Sequence, residues 1–397
     1  MYITREIEGR LRKAAMQFPL LAITGPRQSG KSTVAQRVFP NHTYVSLEYP
    51  DVLRLAEEDP RALLARGPMI LDEVQRCPQL FSYLQGIVDR EKKKGHFILT
   101  GSAQFLLLES ISQSLAGRVA MFQLLPLSLA EIAKHTRYQS WSHWAEYALF
   151  GSYPALYEQN DFEPDIALFY QSYIQTFLQR DVRQIVNVTS LSDFDRFLRL
   201  FAGRVGCVFD IQSMANDLGV SRETVKRWIA VLETAMVIYR LEPYFENFGK
   251  RVIKSPKFYF TDTGLLTNLL GISTVSQLDR DPLRGSIFES LVVSEIVKSR
   301  LAASGDSKIY FYRDSNQHEV DVIIPQGRQL QPIEIKSSLS LPSSDQAAGL
   351  NYFRKLTGER CTSPVMVYGG AEEHQSESIG FMPWKNLASF NRPLVTS

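Results

Sequence analysis

The chain has 397 residues, 44% of them hydrophobic and 22% charged, with a net charge of +2. That length suits two or three domains with ample core, and the balanced charge excludes a global field drawing the molecule to nucleic acid or membrane. Cys77, Cys207 and Cys361 are far apart, without metal-ligand spacing, and argue for a reducing compartment and against a disulfide framework.

The N-terminus alternates charge with Ile3, Ile7 and Leu11, as an amphipathic helix does. It lacks the continuous apolar stretch of a signal peptide, and no segment is long and apolar enough to span a bilayer. The expectation is a cytoplasmic protein without membrane contact. Leu20 to Thr24 is an apolar run of strand length. It leads into Gly25-Pro26-Arg27-Gln28-Ser29-Gly30-Lys31-Ser32-Thr33, a complete G-x-x-x-x-G-K-S loop, and a helical pattern follows to Val38. The strand, loop and helix in this order predict a phosphate-binding loop. Its glycines let successive N–H groups turn inward towards phosphate oxygens, and the helix N-terminus adds its dipole. Lys31 is the candidate bridge to the terminal phosphates and Ser32 a candidate Mg²⁺ ligand. The loop predicts binding of a nucleoside triphosphate, ATP with Mg²⁺.

Pro68-Met69-Ile70-Leu71-Asp72-Glu73 reads as a buried strand ending in two acids. A carboxylate there is costly without a cation beside it, which makes Asp72 a second candidate Mg²⁺ ligand. Glu73 is the candidate base for the attacking water. A third strand, His96 to Ser102, ends in the hydroxyl residues Thr100 and Ser102, one of which is a candidate contact to the γ-phosphate or the water. Arg118, in Ser114-Leu115-Ala116-Gly117-Arg118, is either an arginine finger acting in trans within a ring or an ordinary surface arginine.

Residues 1–135 alternate strands with helical patterns, the signature of a parallel sheet covered on both faces. Residues 136–255 are mostly helical, with punctuation at Gly151 to Pro154 and an aromatic-rich stretch from Phe169 to Phe177. Within them, Ile211 to Leu218, the turn Gly219-Val220 and the N-cap Ser221 predict a helix-turn-helix. Val225, Ile229 and Leu232 form the buried stripe of its second helix, and Arg222, Lys226 and Arg227 lie on the polar side as candidate DNA contacts. Val237 to Leu241 and Lys257 to Phe260 are candidate wing strands. The alternative is a winged helix used only for packing.

Strands return over residues 256–397: Lys257 to Thr261, Lys308 to Tyr312, Glu319 to Ile324, Pro332 to Lys336 and Val365 to Tyr368. Glu334 and Lys336 share one strand face, and pairing of neighbouring strands predicts Asp321 beside Glu334. Two carboxylates that close repel unless a divalent cation lies between them. Asp321, Glu334 and Lys336 are therefore candidate catalytic residues, with Glu289, in the helical run Gly285 to Ser299, as a further metal ligand beside Asp321 and Glu334. This is the PD-(D/E)XK nuclease layout, with Val320 rather than proline before the first acid. The competing reading is a degenerate nuclease fold that serves as a binding platform.

The phrases GPRQSGKST, LDEVQRCPQLF, FILTGSAQF, SLAGRV and LLPLSLAEI, followed by GSYPALY, FLQRDV and KFYFTDTGLL, resemble the prokaryotic AAA-type ATPases that carry a C-terminal domain of unknown function. The resemblance covers nearly the whole chain. It implies an ATPase core, a helical and winged-helix region, and then a restriction-endonuclease-like α/β domain. It also implies nucleotide-site roles for Lys31, Ser32, Asp72, Glu73, Ser102 and Arg118. The expectation is a homo-oligomeric ATPase, with a ring as one candidate form, acting on DNA, with branched or repair intermediates as candidate substrates. Two other classes remain: a nucleotide-gated switch that binds a protein partner, and a DNA motor with an inactive nuclease fold.

Overall fold

The computed structural model describes residues 2–102, 115–134, 141–157, 164–177, 182, 191–245, 253–375 and 379–390. Ser114 and most of the FLQRDV stretch lie outside the described residues.

The N-terminal part is built on five parallel strands: β1 (Leu20–Thr24), β2 (Thr43–Ser46), β3 (Met69–Asp72), β4 (Phe97–Gly101) and β5 (Val119–Gln123). Their spatial order is β2-β3-β4-β1-β5. Alternation along the strands explains why both faces carry a core. Leu20, Ala22, Met69, Leu71, Phe97 and Leu99 pack beneath the helices Pro50–Glu58 and Leu80–Glu91. Leu21, Ile23, Ile70 and Ile98 pack with Leu11 and Val34, which stand on the helices Glu8–Ala15 and Lys31–Val38. A parallel sheet covered on both sides reads in sequence as unbroken apolar runs, which is how these strands read. Because β4 lies between β1 and β3, the carboxyl ends of three strands meet at one edge. Ligands bind at such an edge in open α/β sheets.

The middle part is helical. Its helices Ile211–Leu218 and Arg222–Thr234 have the ends their local chemistry dictates. Asp210 caps the first by accepting from Gln212 N and Ser213 N, Gly219 closes it at φ 70°, and Ser221 Oγ accepts from Thr224 N. Val225, Trp228, Ile229 and Leu232 are buried.

The second sheet has eight strands in the order β12-β13-β11-β10-β9-β8-β6-β7. They are β6 (Ile238–Pro243), β7 (Lys257–Phe260), β8 (Tyr310–Arg313), β9 (Glu319–Gln326), β10 (Gln329–Lys336), β11 (Val365–Tyr368), β12 (His374–Gln375) and β13 (Gly380–Pro383). β8, β9 and β10 form an antiparallel meander. The helix Ala348–Thr357 then crosses over, and β11 joins β10 in parallel. β6 and β7 form an antiparallel hairpin, and β6 pairs with β8 in parallel through Glu242↔Tyr310 and Pro243↔Phe311. A boundary at residues 255 and 256 therefore falls between two paired strands of one sheet.

The helix Arg284–Ala303 is buried around most of its surface. It belongs to one apolar core shared by the middle helices and one face of the second sheet. The other face packs against the helix Ala348–Thr357 through Val320, Ile323, Leu350, Phe353 and Met366. The aromatic stretch Phe169 to Phe177 joins the shared core, with Tyr153 and Tyr173 ring centroids 4.8 Å apart.

Candidate functional site

The phosphate loop leaves β1 at Gly25 and enters the helix Lys31–Val38 at Gly30, whose φ is 89°. A Cβ on Gly25 would lie 2.1 Å from Leu124 O, so only glycine permits this close approach of two backbones. Lys31 is buried, and its Nζ donates to Gly25 O at 3.1 Å and Pro26 O at 2.8 Å. Ser29 Oγ is buried inside the loop without a hydrogen-bond partner. An unsatisfied hydroxyl in a tight glycine cradle, next to a buried ammonium, fits a polyanionic guest. A cavity of about 170 Å³ adjoins the loop, lined by Tyr2, Ile3, Thr33, Val34, Leu127 and Pro154 among others.

Asp72 ends β3 as the sequence predicts. It accepts from Ser32 Oγ at 2.8 Å, from Tyr44 OH at 2.7 Å and from Thr100 Oγ1. Burial, reinforced by the bond to Asp72, pushes the Tyr44 hydroxyl pKa up, so it remains a donor. Ser32 and Asp72, the two proposed Mg²⁺ ligands, are thus in direct contact. Glu73 adopts a left-handed conformation at φ 53°, and its Oε2 accepts from Ser102 Oγ at 3.3 Å and from Gln75 Nε2. The hydroxyl residues at the end of β4 and just after it divide their work: Thr100 holds Asp72 and Ser102 holds Glu73.

Arg118 stands elsewhere. β5 runs parallel to β1 in the register Leu20↔Val119, which places Arg118 at the amino end of the strands. The phosphate loop is at their carboxyl end. Arg118 makes a two-pronged ion pair with Asp89 at 2.6 and 2.9 Å on the exposed surface. A cis role at the chain's own phosphate loop is thereby ruled out.

Arg5 was not legible as a site residue. It is buried and donates from Nε to Glu131 Oε2 at 2.9 Å, from one terminal nitrogen to Ser29 O at 2.8 Å, and from the other to Leu125 O at 2.7 Å. It therefore holds the phosphate loop from behind.

The second constellation lies where β7, β9, β10 and the helix Arg284–Ala303 meet. The register Val322↔Ile333, continued by one step, sets Asp321 opposite Glu334. Asp321 Oδ2 accepts from Ile335 N at 2.8 Å. Lys336 Nζ donates to Glu334 Oε1 at 2.6 Å, and Glu334 Oε2 is buried without a partner. Burial, then the charges of Glu334 and Glu289, push the Asp321 carboxyl well above its usual pKa. Burial also raises Glu334, against the pull of Lys336. A Cβ on Gly349 would lie 2.0 Å from Glu319 O and 3.6 Å from Glu334 Oε2, so this glycine lets its helix close over the cluster.

The expected ligand set of Glu289, Asp321 and Glu334 requires a correction. Among the described residues no three His, Cys, Asp or Glu side chains converge on a metal position. The Glu289 carboxylate is engaged by Lys257 Nζ at 3.1 Å and by Tyr259 OH at 2.5 Å. Lys257, only 3% exposed, also pairs with Glu319 Oε1 at 2.7 Å. Desolvation opposes its charge, but the acids around it, Glu289 first, hold its pKa well above normal. His318 stacks on Tyr352 and bonds Asp314, and Arg313 pairs with Glu319.

The side chains expected to meet DNA are exposed on the helix Arg222–Thr234. Lys226 pairs with Glu223 at 2.8 Å, and Arg227 reaches Thr224 Oγ1 at 3.5 Å.

Comparison with known proteins finds three families that match successive parts of the chain. Residues 17–133 match the AAA domain family. Residues 141–276 and 284–387 match two domains of unknown function, DUF8612 and DUF4143. An uncharacterized protein of Mycobacterium tuberculosis is 33% identical over 344 residues, which covers 85% of this chain and 75% of that protein. Its Mycobacterium bovis counterpart matches to the same extent. The chain belongs to their family. Its N-terminal part is a P-loop ATPase-like domain of the AAA type. A Walker-type ATPase of Pyrococcus abyssi is similar at 14% identity, with a TM-score of 0.46 over 68% of this chain and 96% of that one. Among the described residues no helix is long and apolar enough to cross a membrane.

Proposed function

We propose that this protein is a Mg²⁺-dependent ATPase of the cytoplasm that acts on DNA. The observation that carries the ATPase reading is the meeting of Lys31, Ser32, Asp72, Glu73 and Ser102 at one sheet edge. Bound Mg²⁺ would supply positive charge against the negative charge that develops during phosphoryl transfer. Ser32 and Asp72 would hold it, and Lys31 would exchange its two carbonyl partners for phosphate oxygens. Glu73, held by Ser102 and Gln75, would orient the attacking water and take its proton. The apolar walls beside Gly30 suit the faces of a purine. Arg118 would serve a neighbouring subunit in a homo-oligomer, since its own loop lies beyond the far end of the strands.

Three domains complete this reading: residues 1–135 as the ATPase, 136–255 as a helical connector with a winged helix whose hairpin strand β7 lies across the boundary, and 256–397 as a nuclease-like domain. The order helix, three-stranded meander, helix and parallel strand supports a restriction-endonuclease-like core. Asp321, Glu334 and Lys336 stand at its central strands. Residues of that set fit a divalent cation, because Glu334 Oε2 is a buried acceptor left unpaired. Lys336 would neutralise charge on a scissile phosphate.

DNA is favoured because Arg222, Lys226 and Arg227 project from a capped helix whose hairpin, β6–β7, is built into the sheet bearing Asp321. A duplex docked on that helix would stay at a fixed distance from the acidic cluster. Reversing charge at Arg222 and Lys226 to glutamate should weaken DNA binding and flatten the log–log salt dependence by about two. Fluorescence anisotropy across a salt series measures both, and an unaltered slope removes this helix from the interface.

The broader test is ATP hydrolysis with single-stranded, duplex and branched DNA. We expect one form to stimulate turnover several-fold. Indifference to every form would favour the alternative class, a nucleotide-gated switch that binds a protein partner. Mg²⁺-dependent cleavage of the stimulating DNA then separates a working nuclease-like site from an inactive binding platform.

A further inference from the structure

The acidic cluster contains a cation of its own. Four carboxylates, Glu289, Glu319, Asp321 and Glu334, gather around Lys257 and Lys336. Lys336 belongs to the same strand as Glu334 and follows from the motif. Lys257 does not, for it comes from β7, on the far side of the sheet order from β9 and β10. It reaches the cluster because β7 packs against the helix that carries Glu289, and its ammonium lies between Glu289 and Glu319. The Phe311 ring, with its centroid 5.4 Å away, covers it further. Tyr259 spends its hydroxyl on the same Glu289 oxygen.

The two halves of the cluster are therefore chemically different. Glu289 and Glu319 are compensated by an ammonium that burial has fixed in place. Asp321 and Glu334 are less fully served: Asp321 receives one backbone N–H, and Glu334, which Lys336 pairs through Oε1, keeps its buried Oε2 without a partner. A buried anionic oxygen without a donor calls for a cation, whereas an oxygen already held by Lys257 and Tyr259 does not.

We propose that Lys257 takes the place of a second metal ion: the cluster holds a single divalent cation, on Asp321 and Glu334, and Glu289 is not among its ligands. The proposal rests on the nuclease-like reading of the C-terminal part and specifies the metal content of that site. It also gives β7 a chemical role, since the hairpin behind the DNA-facing helix supplies the charge that completes the cluster.

The test is titration of the nucleotide-free, full-length protein with MnCl₂, followed by calorimetry and by the electron paramagnetic resonance of free Mn²⁺. An Asp72→Asn background silences the phosphate-loop cation. One equivalent is expected, lost in Asp321→Asn. Glu289→Gln should keep that equivalent with an affinity within about twofold, because only one charge-assisted contact of Lys257 is altered. Lys257→Met should raise the stoichiometry to two. A tenfold or greater loss of affinity in Glu289→Gln, two equivalents in the unaltered cluster, or a folded Lys257→Met still at one would each overturn the proposal while leaving a metal site in place. If Lys257→Met fails to fold, the Glu289→Gln arm alone decides. No Mn²⁺ binding to the unaltered cluster would overturn the metal-dependent nuclease reading itself, and this inference with it.

Discussion

Replacing Lys31 by alanine is expected to lower ATP turnover by about 10²–10³-fold, the cost of removing one preorganised charge-stabilising donor from an active site. The expectation rests on where its ammonium is. Nζ is buried against Gly25 O and Pro26 O, two neutral acceptors at the mouth of the loop. A phosphate oxygen would replace a neutral partner by an anionic one, so the buried ammonium would gain a full charge–charge attraction in place of an ion–dipole contact. Alanine removes that gain and leaves both carbonyls to find water. Steady-state phosphate release measures the effect, with binding of a fluorescent ATP analogue to separate affinity from chemistry. A variant that kept more than a tenth of wild-type turnover would take Lys31 out of the reaction and would detach the loop from catalysis.

The elements that sequence predicts well are those whose ends are set by neighbours along the chain. β1 spans Leu20–Thr24 and the first helix of the helix-turn-helix spans Ile211–Leu218, both with the expected limits. Their signals are local: an apolar run stopped by glycine, and a cap residue two or three positions before its partners. The opposition of Asp321 and Glu334 was also legible, because the strands carrying them are consecutive and strand pairing has a period of two. What escaped is what the fold brings together from afar. Tyr44 reaches Asp72 only because β2 lies beside β3. Lys257 enters the acidic cluster through a sheet in which a hairpin of the helical region is continuous with the C-terminal strands. Nothing near Lys257 in sequence distinguishes it from a strand-end lysine in solvent. Its burial at 3% exposure follows from the joining of β6 to β8, a pairing that no periodicity announces. Glu289 was assigned to a metal for the same reason: its acid character was visible and its partners were not.

Arg5 and Glu131 show how far such hidden contacts reach, and they carry the second large effect. Glu131→Ala is expected to destabilise the N-terminal part by about 3–5 kcal/mol, the range for breaking one side of a buried ion pair. Both side chains are about 5% exposed or less. Glu131 does three things at once: it pairs with Arg5, accepts from Glu6 N at 2.7 Å, and closes the capping box with Ser128 N at 3.0 Å. Its loss strands a buried guanidinium whose remaining bonds are to backbone carbonyls, among them Ser29 O in the phosphate loop. Amide hydrogen exchange over β1 and the helix Lys31–Val38 should therefore quicken by about two to three and a half orders of magnitude. Replacing both residues by methionine should recover part of the loss, because an apolar pair leaves no charge unpaired. A Glu131→Ala protein with unchanged exchange would mean that water reaches Arg5 and that the loop needs no such prop. The stakes extend beyond the loop. The segment that Glu131 anchors also donates a bond to the C-terminal part, where Glu295 Oε2 accepts from Leu129 N at 2.7 Å. Glu295 stands on the same rigid helix as Glu289 and is itself held by Tyr147 and Lys298. A change at Ser29 thus has one short buried route, through Arg5, Glu131 and Leu129, to the helix that borders the acidic cluster. If Glu131→Ala also quickens exchange along Arg284–Ala303, that route carries energy between the two sites. If the effect stops at the phosphate loop, the sites share a scaffold without sharing a switch.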